Sequence, residues 1–289
     1  MPLNANNCPE ISTFDIEKMI SKQHPVFKLQ IDCGLTLEDI PYHCESLEMH
    51  EPLNSWMEMK FDNLSVGYLW SCENGKEALS KQLFIDAKHK GINVNILNSM
   101  HDTGFNLACS NGHINIVEFL LNQNEKKKIT INASNTNGEN AFFQACANEQ
   151  TEIVRILLNK NENIDINNVN IAGDNAFHQA CAKGQIDIAM ILMEDKRINF
   201  DERNANGETG LYLAWSNDHL TIVDFIINNL EIDFIKEFQL ALNKGNCPLM
   251  IKLLNGSESS KHIDLNITDD NGSTFFLLAC AEGDLKAVN

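Results

Sequence analysis

Thiol and imidazole groups are the residues of this chain best suited to chemistry, since thiolates are nucleophiles and both are metal ligands. Cys72, Cys109, Cys146, Cys181 and Cys280 recur through the chain, and Cys33, His43, Cys44 and His50 crowd together near its start. The early cluster suggests zinc, yet it has neither a C-x₂-C nor an H-x₃₋₅-H spacing. No G-x-S-x-G nucleophile elbow and no H-E-x-x-H pair is present, and Gly75-Lys76 is followed by Glu77 with no glycine at the phosphate-loop spacing. Lys126, Lys127 and Lys128 form a small basic island that reads as a solvated loop tip rather than a phosphate site. The expectation is a chain without enzymatic activity, cofactor or metal.

Nine cysteines, an odd number scattered from Cys8 to Cys280 without tight pairs, fit a reduced intracellular chain. The expected location is the cytoplasm, with the nucleus also compatible. Asp and Glu number 40 against 22 Lys and Arg, a net charge of −18. That balance, with a pI near 4.8, argues against DNA, RNA or an anionic membrane as partner and favours a protein with a basic surface. Hydrophobic residues at 43% of 289 supply core for one large domain or two ordinary ones, so general disorder is excluded. Apolar runs such as 222–227, interrupted by Asp224, fall far short of the ~20 residues a membrane span requires. Asparagine is abundant, which suits turns and suits a biased genome equally well.

The elements that position these residues are set by an internal repeat. Segments 102–109, 139–146, 174–181, 208–215 and 273–280 align, each preceded by His101, Gly138, Gly173, Gly207 or Gly272, at steps of 37, 35, 34 and 65 residues. The last step holds a degenerate unit, in which Phe238 to Leu242, Gly245, Leu249, Met250, Leu253 and Leu254 keep the apolar spacing. Tyr68 to Cys72 with Gly75, Leu79, Leu83 and Phe84 adds a unit upstream, making about seven. A second helix follows at fixed offset. Ile116, Val117, Leu120, Leu121 recur as Ile153, Val154, Leu157, Leu158, as Ile188, Ala189, Leu192, Met193, and as Ile222, Val223, Ile226, Ile227, one stripe of a helix. Asn95, Asn132, Asn167 and Asn266 mark the same register six residues before the opening position.

In this register the chain resembles the ankyrin-repeat family, whose unit of about 33 residues is a turn and two antiparallel helices. Asn111-Gly112-His113 with Ile116-Val117 and Leu120-Leu121 is the nearest match to the family pattern, followed by Gln179-Ala180 with Gly184 and Ile188. The proline of the family's T-P-L-H is replaced throughout, by Gly104, Ala141, Ala176, Gly210 and Phe275, which predicts a looser turn, and its histidine survives only as His178. The resemblance implies an all-α solenoid of paired antiparallel helices with β-hairpin or turn fingers. It divides the chain into an N-terminal segment 1–60, a cap or diverged repeat, and a repeat domain 61–289 whose last unit is incomplete. The five recurrent cysteines share one register position, where the family places a small buried residue. Neighbours one repeat apart are about 10 Å apart, too far to share a zinc ion whose ligands lie at ~2.3 Å. They read as buried small hydrophobes, and His178 and His113 as structural.

Family members usually meet their ligands at finger tips and inner-helix positions. Transferred to this register, the candidates at the tips are Met100, Asp102, Asn137, Glu139, Ile171, Asp174, Arg203, Asn206 and Glu208, with Lys183 and Asn217 on inner helices. Asp102, Glu139, Asp174 and Glu208 occupy one repeated position and predict an acidic file for a basic partner. Met100 and Ile171 are apolar where water is expected, as interface anchors are. The expected function is a non-enzymatic interaction module or scaffold. Two alternatives stand beside it: the regulatory repeat portion of a larger enzyme, channel or adaptor, suggested by a chain that stops at Asn289 before its last Leu-Leu pair, and a zinc-dependent adaptor built on the N-terminal segment.

Overall fold

The computed structural model describes residues 64–127, 129–160, 163–230, 232–256 and 263–282. Thirteen α-helices and no strand lie among the described residues. They come in pairs: α1 (Leu64–Glu73) with α2 (Glu77–Lys90), α3 (Gly104–Ser110) with α4 (Ile114–Lys127), and α5 (Ala141–Ala147) with α6 (Thr151–Lys160). The series continues with α7 (Ala176–Lys183) and α8 (Ile186–Met193), α9 (Gly210–Ser216) and α10 (Leu220–Asn229), and α11 (Phe234–Asn243) and α12 (Cys247–Gly256). Helix α13 (Phe275–Glu282) opens a seventh unit. The chain divides into two compact parts, one containing α1–α4 and ending at Thr136, the other containing α5–α13 and beginning at Asn137. Cys33, His43, Cys44 and His50, weighed as zinc ligands, and the N-terminal segment as a whole lie outside the described residues.

Each short inner helix begins with a side-chain cap. Thr103, Asn140, Asn175 and Thr209 accept from the N–H groups of Asn106, Phe143, His178 and Tyr212, satisfying a donor that the first turn leaves orphaned. At the far end a left-handed residue reverses the chain into the outer helix: Gly112, Glu149, Gly184 or Asp218, at φ between 59 and 80°. The outer stripe is buried as its spacing requires, at Ile116, Val117, Leu120, Ile153, Val154, Leu157, Ile188, Leu192, Ile222, Val223, Ile226 and Ile227. Each fully buried Val, Leu or Ile stabilises by about 1.5–3 kcal/mol.

Small residues in place of the family proline have a packing reason. In the first part, a Cβ on Gly104 would stand 3.0 Å from both the Tyr68 ring and Cys72 Sγ. In the second, a Cβ on Gly210 would come within 2.6 Å of the Phe177 ring. Inner helices therefore approach so closely that the preceding aromatic occupies the space a larger residue would need.

The fingers are turns rather than β-hairpins; among the described residues the single bridge pairs Thr268 with Thr274. An Asn or Asp three residues before the opening position closes four of the described turns. Asn98 Oδ1 accepts from the N–H groups of Met100 and Asp102, Asn170 from Ala172 and Asp174, Asn204 from Asn206 and Glu208, and Asp269 from Asn271 and Ser273. Much of the asparagine abundance is thus structural. The fifth unit has no finger, because only residues 230–233 separate α10 from α11. Lys126 and Lys127, expected in a loop, belong to the last turn of α4.

Candidate partner-binding surface

Three fingers are held from the base by side-chain hydrogen bonds, so their tips are preformed surfaces. In the first part, Asn95 Oδ1 accepts from the N–H and hydroxyl of Thr130. In the second, Asn167 Oδ1 accepts from Asn199 N–H at 3.0 Å while its amide donates to Arg197 O. His178 locks the fourth finger: its Nε2 lies 3.0 Å from Glu202 O and 3.2 Å from Glu208 O, with Nδ1 against the Asn175 cap. Burial lowers the His178 pKa, more than Asp174 and the two backbone carbonyls raise it, so the ring is neutral at neutral pH.

On this scaffold Ile171 is 79% exposed and Met100 46%. The Ile171 N–H donates to Asn137 O at 2.9 Å, so an apolar side chain is presented from a tethered backbone. Asn137, Arg203 and Asn206 are exposed, as are Lys183 and Asn217 on the inner helices, the last as the C-cap of α9.

The acidic file is not a row of free carboxylates. Asp102 is only 8% exposed and takes the Asn98 amide at 3.3 Å. Asp174 and Glu208 are half-buried: Asp174 accepts from Asn204 Nδ2 at 2.9 Å, and Glu208 forms an ion pair with Lys244 at 3.2 Å. Glu139 is likewise half-buried. Asp102 thus serves its own finger, whereas Asp174 and Glu208 tie their fingers to the following repeat.

Two exposed residues escaped the sequence reading: Leu97 and Val169, each four residues before an opening position, at 48% and 43% exposure. An apolar residue in a turn was the available signal. His219 also went unnoticed, although it stands twelve residues after Gly207 as His113 does after His101. Its Nε2 lies 3.1 Å from Ala182 O, and His113 Nε2 lies 2.9 Å from Glu73 O, so each ring ties an outer-helix start to the end of the preceding inner helix.

The thiols offer no reactive site in the core. Cys72, Cys109, Cys146 and Cys181 are fully buried, and burial pushes the Cys72 thiol up to about 12 and the other three upward as well. Cys280 differs from the expected burial, for it is exposed on α13. Among the described residues no group of three His, Cys, Asp or Glu is placed to hold a metal ion, and no helix is long and apolar enough to cross a membrane.

A family model of ankyrin repeats in three copies matches residues 69–170 and again 162–237. The chain belongs to the ankyrin-repeat family. The matches span α1 to the start of α11, which covers the capped, fingered units; no curated protein matches the sequence. Ankyrin repeats are generally protein–protein interaction modules and are typically non-catalytic, and the buried thiols of this ankyrin chain agree with a packing role for its most conspicuous residues.

Proposed function

We propose that this ankyrin chain is a non-enzymatic interaction module that binds a partner protein through its finger tips and adjoining inner-helix positions. The observation that supports it best is Ile171, 79% exposed on a finger whose backbone is fixed at both Asn137 and Asn170. Exposing a large aliphatic on a rigid turn forgoes about 1.5–3 kcal/mol of burial, which a partner recovers on binding. Val169 on the same finger is exposed as well, and Asn137, Glu139, Asp174, Lys183, Arg203, Asn206, Glu208 and Asn217 are the polar candidates of this second part; Met100 and Asp102 are the candidates of the first part, taken by itself. The net charge of −18 favours a partner with a basic surface and disfavours nucleic acid. The proposed setting is the cytoplasm, where buried thiols stay reduced.

Proximity labelling in cells followed by direct binding of the recovered protein tests this. Ile171→Asp should weaken the direct interaction at least tenfold while the melting temperature stays unchanged, because the side chain makes little contact within the fold. Unaltered affinity would remove Ile171 from the surface.

A further inference from the structure

Successive fingers are joined by one repeating backbone hydrogen bond. Its donor is the N–H two residues before an opening position, and its acceptor is the C=O one residue before the opening position of the preceding finger. In the first part Thr136 N–H donates to Met100 O at 2.8 Å. In the second, Ile171 donates to Asn137 O and Ala205 to Ala172 O, both at 2.9 Å. The next acceptor in this series is Asn206 O. Because the fifth unit has no finger, that carbonyl takes Lys244 Nζ instead, at 3.4 Å.

The space beside it tells the same story independently. A Cβ on Gly138 would meet the Val169 carbonyl at 3.2 Å, and one on Gly173 would meet Ala205 N at 2.8 Å, because the next finger stands there. A Cβ on Gly207 would meet nothing within 4 Å among the described residues. The side of this finger is open, and its backbone acceptor is covered by one long side chain.

The charges around the opening define what fits. Lys244 reaches Glu208 at 3.2 Å and lies 5.7 Å above the Tyr212 ring. Arg203 donates to Gly207 O at 3.1 Å and to Lys236 O at 3.3 Å, and among the described residues it has no carboxylate partner within ion-pair distance. The neighbouring acids Glu208, Asp233 and Glu202 are engaged by Lys244, Lys236 and the Asn199 amide, while Asp201 is exposed at the finger base. Ile235, 51% exposed on the first turn of α11, adds an apolar contact next to Lys236.

We infer that the open side of the finger at 202–208 docks an extended acidic segment of a partner protein, which takes the place of the missing finger. A backbone N–H of that segment donates to Asn206 O, and a carboxylate beside it pairs with Arg203 and Lys244. Main-chain pairing supplies affinity and the carboxylate supplies register, as in strand addition to a sheet edge. This rests on the proposed partner-binding role only in taking the ligand to be a protein.

Linear heptapeptides displayed on phage and selected against the full chain provide the probe, followed by synthetic copies measured by fluorescence polarisation. The expected result is enrichment of Asp or Glu at one position. Affinity should fall at least tenfold with Lys244→Glu or Arg203→Glu, and equally when the amide beside the acid is N-methylated. Failure to select any peptide, selection without acidic enrichment, or affinity indifferent to both charge reversals and to N-methylation would each overturn the docking edge. Thermal melting reports whether either reversal disturbs the junction, since Arg203 also holds Gly207 O and Lys236 O and acts on buried Glu237; N-methylation of the peptide leaves the protein untouched and keeps the test decisive. Peptides weakened by Ile171→Asp and not by the reversals would support the tip surface while refuting this edge; the opposite pattern would support the edge alone.

Discussion

His219 and Gly184 show how single residues hold one repeat to the next. The imidazole reaches back to Ala182 O, and a Cβ on Gly184 would lie 2.6 Å from its ring. Gly75 and His113 make the same pair in the first part, also at 2.6 Å. Where Glu149 replaces the glycine, Gln185 stands in place of the histidine, its Nε2 donating to Ala147 O at 3.1 Å and to Glu149 Oε1 at 3.3 Å. A ring requires the residue without a side chain, and a slimmer amide tolerates one. Gly184→Ala should therefore cost more than 2 kcal/mol, from the collision and from a non-glycine residue at φ 72°. In a double-mutant cycle with His219→Ala, chemical denaturation should recover the collision part; strict additivity would mean that only the backbone matters.

At the level of an element, α11 differs from α3, α5, α7, α9 and α13 because it starts without a finger and buries a carboxyl. Glu237 is 5% exposed and accepts from the Thr209 hydroxyl at 2.8 Å, at the register position held by Gly104, Ala141, Ala176 and Gly210 in four other units. Burial raises its pKa to about 7, against lowering by the Thr209 hydrogen bond and by Arg203. Above the ordinary value of 4.5 the unfolded chain is ionised while the folded one keeps its proton, so the native state binds more protons. Stability therefore falls as pH rises from about 4.5 to about 7, by on the order of 3 kcal/mol. Glu237→Gln should remove this dependence, leaving stability near pH 4.5 unchanged and raising it near pH 8. Urea melts across that range measure it, and an unchanged pH slope in the variant would show that Glu237 titrates normally. His178 acts in the reverse sense. Its folded pKa is lowered, so the unfolded chain binds more protons as pH falls through the ordinary value of 6.5, and stability is lost there.

For the whole molecule, thiol accessibility reports how the repeats are covered. Cys72, Cys109, Cys146, Cys181 and Cys247 are buried and Cys280 is exposed. Among these, Cys280 should react with a thiol reagent in the native protein within the mixing time, and the other five only as their units open. Mass spectrometry of pulse-labelled peptides resolves the order, and simultaneous labelling of all five would show one cooperative unit rather than repeat-by-repeat opening. Cys280 shares its register position with four buried cysteines, so sequence alone placed it with them. Burial there needs a covering helix on the far side, and α13 leaves Phe276 and Leu277 exposed at 49% and 61%.

The apolar stripes by themselves determined the paired helices, because the spacing of Ile153, Val154 and Leu157 or of Ile222, Val223 and Ile226 admits one buried face. The recurring His101, Gly138, Gly173, Gly207 and Gly272 likewise marked the turns, since each adopts positive φ. Candidate tip residues followed from register alone. Their state did not, because exposure depends on what the neighbouring unit supplies. Asp174 and Glu208 occupy one register position and look like free charges in sequence, yet Asn204 and Lys244, 30 and 36 residues away, engage them. The missing finger was legible as a degenerate spacing. Only the tertiary structure decided that it opens a space beside Gly207 and leaves Asn206 O to a lysine, since a backbone group's partner lies one repeat away in the chain and is chosen by stacking.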